Sequence, residues 1–167
     1  MANEATLSAA LSATREELRI EYLVSNTSPS GLFLIDVSVR PTPDGTSVET
    51  GVPRLELTPQ RQVLLLYRLR QPDRSRSYAV PPSAFAALLE SGRSRKVSAS
   101  VRFPLIATNL PPSKEVQEAV CDRVALILGY VPVPAVPAAV ETEVAGVKLW
   151  RLPPDAWRHQ KELRFEA

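Results

Sequence analysis

The chain is poor in the side chains that build the common catalytic and metal sites. Its 167 residues include one cysteine, Cys121, and one histidine, His159. A single cysteine excludes an internal disulfide and a cysteine-rich zinc site, and a single histidine excludes an HExxH metal motif. No GxGxxG or GxxxxGK[ST] phosphate loop occurs in the sequence. We therefore predict no catalytic residue, no metal and no cofactor.

Few candidates for catalysis are left. A nucleophile paired with a histidine would have to use His159, which is better interpreted as a solvated surface residue. Cys121 fits a small buried residue better than a reactive thiol. An enzyme whose site is built from scattered residues, with no recognisable motif, is kept as the third hypothesis.

The sequence also lacks a long apolar run and a strong charge imbalance. No stretch approaches the ~20 apolar residues that cross a bilayer, so no membrane association is predicted. The first residues carry neither the basic start nor the apolar stretch of a signal peptide, and we expect a cytoplasmic location. The formal net charge of +2 is too small to imply a polyanionic partner by itself.

Proline is the residue in excess, with 16 prolines against only 6 glycines. Because a proline inside a helix removes a hydrogen bond and clashes with the preceding turn, their scatter leaves little room for long helices. It favours many short strands that end at prolines.

Apolar and polar residues alternate with period two in at least six segments, which predicts half-buried strands. The segments cover residues 18–25, 32–40, 55–57, 63–70, 97–103 and 124–130. The last is apolar on both faces and predicts a strand covered on each side. A further strand at residues 5–13 is expected to form a hairpin with the first segment.

Two short helices are also predicted. Ser83 is a possible N-cap for residues 84–90, where Phe85, Leu88 and Leu89 follow helical spacing. A second helix is predicted to begin near Ser113.

Short strands and tight turns such as Pro43-Asp44-Gly45 predict a mainly β sandwich of about 7–9 strands with one or two short helices. The strand number and the segment Tyr22-Leu23-Val24-Ser25-Asn26 before a turn resemble the architecture of immunoglobulin and fibronectin-III sandwiches. We assign the sandwich core to residues 1–132. The Pro-rich strap and tail at residues 133–167 are expected to add edge strands to the same domain.

The tripeptide Arg-Ser-Arg occurs twice and flanks the first predicted helix. The basic residues are Arg74, Arg76, Arg93, Arg95 and Lys96. If these loops lie close together, beside Arg68 and Arg70, their charges could bind phosphate or carboxylate groups. Anion or nucleic-acid binding is therefore the second hypothesis, although the aromatic platforms that bind single strands are missing beside these loops.

Three other residues are singled out as candidates for a site. Trp150 and Trp157 lie in the tail, where they either pack on the sandwich or form a partner-binding hot spot. Asp36 interrupts an apolar strand. Its simplest interpretation is an outward-facing residue, and the alternative is a buried carboxylate that holds a loop or binds a partner's cation.

The first hypothesis is a non-enzymatic protein-interaction module, an accessory subunit or adaptor. It would bind another protein through an edge strand or through the tail that carries Trp150 and Trp157. The sequence indicates neither the identity of that partner nor the oligomeric state.

Overall fold

The computed structural model describes residues 3–71, 84–105 and 123–167. These residues are mainly β and include no helix of seven residues or more, so the predicted class is confirmed. The strands of the described part are β1 (Ala5–Ala13), β2 (Glu17–Asn26), β3 (Leu32–Leu34), β4 (Val37–Thr42), β5 (Gly45–Thr50), β6 (Arg54–Leu57), β7 (Val63–Tyr67), β8 (Ala84–Leu89), β9 (Ser94–Arg102), β10 (Val124–Pro132), β11 (Val140–Val144), β12 (Val147–Leu152) and β13 (Lys161–Glu166).

The strands group into three sheets. One sheet has the order β1-β2-β9, and a second joins β11-β12-β8-β3-β10-β7-β6, with β13 paired to β10 as well. Strands β4 and β5 form a separate hairpin around the predicted turn at Pro43-Asp44-Gly45. The predicted hairpin of residues 5–13 with 18–25 corresponds to the antiparallel pair β1–β2.

The predicted count of about 7–9 strands is too low, because thirteen are present in the described ranges alone. One reason is that the predicted strand at residues 32–40 is two strands, β3 and β4, separated by Ile35 and Asp36. A second is that β5 and β11 carry polar residues where the pattern required apolar ones. Both pair antiparallel with a neighbouring segment across a short turn.

The first predicted helix is wrong, since its residues form strand β8. This strand pairs antiparallel with β3 through Ala87–Leu89 and with β12 through Ala84–Ala86. A helix of about seven residues is marginal in water without tertiary support, and here the neighbouring strands supply the backbone hydrogen bonds. The cap Ser83 and the second predicted helix near Ser113 lie outside the described residues, as does Cys121.

Strand β10 is buried along nearly its whole length, as its apolar character on both faces predicted. It pairs in parallel with β7 along Val124–Leu128, and antiparallel with β13 and β3. On one face, Leu126, Leu128 and Tyr130 pack with residues of the three-stranded sheet, such as Ile20. On the other, Val131 belongs to a second buried cluster.

The two clusters use opposite faces of the same strands. In β3, Leu32 and Leu34 lie in the first cluster, whereas Phe33 lies in the second. The second cluster also receives residues of the chain beyond residue 132, including Val136 and Ala156. The Pro-rich strap begins directly after β10 with a short 3₁₀ helix, Val133–Ala135, and a second 3₁₀ helix follows at Ala156–His159. In the described ranges no helix has the length and apolar character needed to cross a membrane.

We predict that the first cluster dominates the stability of the fold. Leu126 is fully buried, whereas Leu23, on β2, is 42% exposed. Leu126→Ala should lower the free energy of unfolding by about 2–5 kcal/mol, because it removes apolar contacts and leaves a cavity. The matched control Leu23→Ala should change it by about 0.5 kcal/mol or less. Urea denaturation measures both, and equal effects would contradict this description of the core.

Candidate functional site

Asp36 is a buried carboxylate, so its interpretation as an outward-facing residue is wrong. It lies between β3 and β4 and its side chain is fully buried. The Tyr22 hydroxyl donates a hydrogen bond to Asp36 Oδ2 at 2.8 Å, and the Nε of Arg95 lies 3.2 Å from the same oxygen. The backbone carbonyl of Asp36 also accepts a hydrogen bond from the Gly51 amide at 2.8 Å. The alternative interpretation as a buried carboxylate is therefore correct, but the loop at Gly51 is held by the backbone of Asp36, while the carboxylate contacts Tyr22 and Arg95.

Burial affects the ionisation of the two tyrosines near Asp36. The rings of Tyr22 and Tyr67 lie 5.6 Å apart, and the Tyr67 hydroxyl donates to the Gly51 carbonyl at 2.8 Å. Burial raises the pKa of both tyrosines above the ordinary value, and the negative charge of Asp36 raises each pKa further. Both hydroxyls thus stay protonated donors. The ring contact and the hydrogen bonds link Asp36, both tyrosines and the loop at Gly51 in one polar group inside the first cluster.

Arg95 connects this buried group to the surface. It was predicted as part of a basic loop, but it lies within strand β9, with its side chain 27% exposed. Besides facing Asp36, it lines a surface cleft of about 490 Å³. We call this the Trp150 cleft and define it by Leu88, Glu90, Arg93, Arg95, Lys148 and Trp150.

The Trp150 cleft combines an apolar wall with positive charge. Trp150 is half-buried and packs against Phe33 with ring centroids 5.3 Å apart, while Leu88 is 39% exposed. Arg93 lies exposed in the turn between β8 and β9 and makes no ion pair with any described residue. Lys148 pairs with Glu141 at 3.1 Å, but both side chains are well exposed, so this pair is weak and exchangeable.

The structure brings together three of the predicted partner-binding residues, namely Arg93, Arg95 and Trp150. Lys96 lies exposed on β9 and lines a different, shallow depression beside Leu23. Trp157, in the second 3₁₀ helix, lines another cleft. The first basic loop, with Arg74 and Arg76, lies outside the described residues, so the predicted convergence of the two Arg-Ser-Arg loops stays a prediction.

Sequence reasoning missed Lys148 and Leu88 as members of the site. Lys148 precedes Trp150 by two residues in a strand, so both side chains lie on the same face of β12. That spacing is a signal that could have found Lys148. Leu88 could not be found, because residues 84–90 were interpreted as a helix. That interpretation predicted the wrong neighbours for Leu88.

Other classes of site have less support in the described part of the chain. His159 is exposed at the end of the second 3₁₀ helix. In the ranges that the structure describes, no group of three or more His, Cys, Asp or Glu side chains is arranged to hold a metal ion. Comparisons of the chain with protein-family models, curated proteins and solved structures gave no match.

We predict that the Tyr22 to Asp36 hydrogen bond contributes measurably to stability. Tyr22→Phe should lower the free energy of unfolding by about 1.5–3 kcal/mol, because a buried carboxylate loses its hydroxyl donor. Tyr130→Phe is the matched control, since the hydrogen bond from the Tyr130 hydroxyl to Glu4 is long, at 3.4 Å, and therefore weaker. It should cost less than half as much in the same urea titration. A larger loss for Tyr130→Phe would overturn this account.

The raised pKa values of Tyr22 and Tyr67 predict a loss of stability in alkali. Below about pH 10 both the folded and the unfolded chain hold these protons, so the full stability is present. Above about pH 10 the unfolded chain releases these tyrosine protons before the folded chain does. The free energy of unfolding should therefore fall by up to about 1.4 kcal/mol per pH unit for each tyrosine. Denaturation at several pH values measures the slope, which should be smaller in Tyr67→Phe. Tyrosinate absorbance that develops fully in the folded protein near pH 10 would contradict the prediction.

Proposed function

We propose that this protein is a non-enzymatic protein-interaction module that binds a segment of a partner protein in the Trp150 cleft. The observation that carries the proposal is the convergence of Arg93 and Arg95, from one segment, with Trp150, from a distant part of the chain, on one cleft. Aromatic and arginine side chains are the types most enriched among the residues that dominate binding energy at protein interfaces.

The chemistry of the cleft indicates what the partner segment carries. Trp150 and Leu88 offer an apolar wall, which fits an apolar side chain of the partner. Arg93 and Lys148 lie at the same cleft and favour a carboxylate, because guanidinium and ammonium groups pair with oxyanions. An acidic segment with one large apolar residue meets both requirements.

Arg95 is suited to a positioning role in such a cleft. Its Nε faces the buried Asp36, which is itself held by Tyr22, so the side chain has less freedom than an exposed arginine. A side chain that is ordered before binding loses less conformational entropy when the partner binds. The buried ion pair thereby supports the surface at which the partner is proposed to bind.

An adaptor or accessory role, a cytoplasmic location and the immunoglobulin-type classification of the fold belong to the same proposal. The sharing of one buried cluster by two sheets supports a sandwich architecture.

Strand addition at an exposed sheet edge is the other proposed route of partner binding. Strand β11 supports it, because it ends the described order of its sheet and Val140 on it is 51% exposed.

The proposal predicts that charge reversal at the cleft weakens partner binding. Arg93→Glu and Lys148→Glu should each weaken binding by about tenfold or more, since a like charge then meets the acidic segment. Arg102→Glu is the matched control, because Arg102 is exposed at the far end of β9 from Arg93. Capture from extract identifies the bound protein, and titration with its purified binding segment gives the dissociation constants.

Two further results bear on this prediction. Trp150→Ala should also weaken binding, but it removes packing on Phe33 and needs a parallel measurement of stability. In Trp157→Phe, Trp150 is the single tryptophan of the chain, and its fluorescence should change when the segment binds. Equal capture by wild type, Arg93→Glu and Lys148→Glu would reject the cleft as the binding surface and favour strand addition at β11.

A further inference from the structure

A second cleft lies apart from the Trp150 cleft and shares no lining residue with it. It has a volume of about 550 Å³, within the range of small-molecule sites. Arginines from two neighbouring segments line it, Arg54 on β6 and both Arg68 and Arg70 just after β7. Trp157, from the second 3₁₀ helix, completes what we call the Arg54 cleft.

A hydrogen bond and an ion pair connect the segments that form the walls of the Arg54 cleft. The Leu69 amide donates a hydrogen bond to Gln160 Oε1 at 2.6 Å, which joins the segment after β7 to the start of β13. Arg68 pairs with Glu162 at 3.1 Å across the same two segments. The backbone at Leu69 and the side chain of Arg68 are thereby held at the cleft before any ligand binds.

Positive charge exceeds negative charge in the lining. Glu56 pairs with Arg54 at 3.2 Å and Glu162 pairs with Arg68, which leaves Arg70 without an ion pair among the described residues. Burial lowers the pKa of Arg54, and the charges of Arg70 and Arg68 lower it further against the opposing effect of Glu56. The cations therefore repel one another, and an added anion would relieve that repulsion.

Arg54 is the most enclosed of these three cations. Its side chain is 17% exposed, and its Nε is buried without a hydrogen-bond acceptor among the described residues. This enclosure weakens the screening of the Arg54 charge by solvent, so an oxyanion in the cleft would be attracted to the guanidinium group. Trp157 adds a flat apolar surface at the same place, and Arg158 lies 5.4 Å from the centre of its ring.

We propose that the Arg54 cleft binds a small oxyanion, a phosphate or carboxylate group, through Arg54, Arg68 and Arg70. Planar guanidinium groups pair with both kinds of oxyanion through two parallel hydrogen bonds. A flat ring attached to the oxyanion would lie against Trp157. The three arginines of this site are not members of the Arg-Ser-Arg tripeptides, and the site shares no lining residue with the Trp150 cleft.

The test uses three probes at low ionic strength: inorganic phosphate, phenyl phosphate and benzoate. In Trp150→Phe, Trp157 is the single tryptophan and reports binding by its fluorescence, and calorimetry on the unchanged protein gives the same constants without a reporter. At least one probe should bind with a dissociation constant of about 1 mM or lower, and added salt should weaken it. Tighter binding of phenyl phosphate than of phosphate would show that the ring contributes, and binding of benzoate would show that a carboxylate suffices.

Arg70→Gln is the decisive variant. Arg70 is exposed and unpaired among the described residues, so its loss should leave the fold intact by circular dichroism. Binding should weaken by about tenfold or more because one charged donor is removed. Arg151→Gln, at an exposed arginine of β12 outside the cleft, is the matched control and should bind as wild type does. Absence of binding for all three probes, or unchanged binding in folded Arg70→Gln, would overturn the proposal.

Discussion

The pairing of β10 with β7, β13 and β3 is the constraint on which the two buried clusters depend. Residues of β10 lie in both clusters, with Leu126, Leu128 and Tyr130 in the first and Val131 in the second. Gly129 lies where these strands meet. A Cβ at this position would lie 3.0 Å from the Tyr67 carbonyl and 2.6 Å from the Gln160 side chain. A side chain at this position would displace the Gln160 side chain and crowd the Tyr67 carbonyl, so glycine suits the close approach at this point.

The packing of these strands also positions the two candidate surfaces, the Arg54 cleft and the Trp150 cleft. Gln160, which lies close to Gly129, also accepts the Leu69 hydrogen bond beside the Arg54 cleft. On the other side of the protein's core, the break between β3 and β4 places Asp36 inside the first cluster, where it faces Arg95. A buried ion pair of this kind contributes little net stability but is costly to break. It favours one position of Arg95, and so one shape of the Trp150 cleft.

The site was partly visible in the sequence, for identifiable reasons. Trp150 was singled out because tryptophan is enriched at interfaces, and Arg93 because it belongs to a repeated basic tripeptide that could bind oxyanions. Both line one cleft. That Arg95 faces Asp36 could not be predicted, since the two residues are 59 positions apart in the chain and meet only through sheet packing. Arg54 was missed for a similar reason. Within its short strand it is an ordinary polar residue, and its neighbours Arg68 and Arg70 come from another strand's end.

The sequence by itself determined the mainly β class and the positions of most strands, because period-two alternation and scattered prolines are local properties of the chain. It also determined that β10 is covered on both faces, since a strand with two apolar faces must be buried on both. Only the tertiary structure decided that residues 84–89 form a strand, because β3 and β12 supply hydrogen bonds that an isolated short helix cannot match. It likewise decided which charges meet in each cleft, because the register between distant strands is set by packing across the whole sheet.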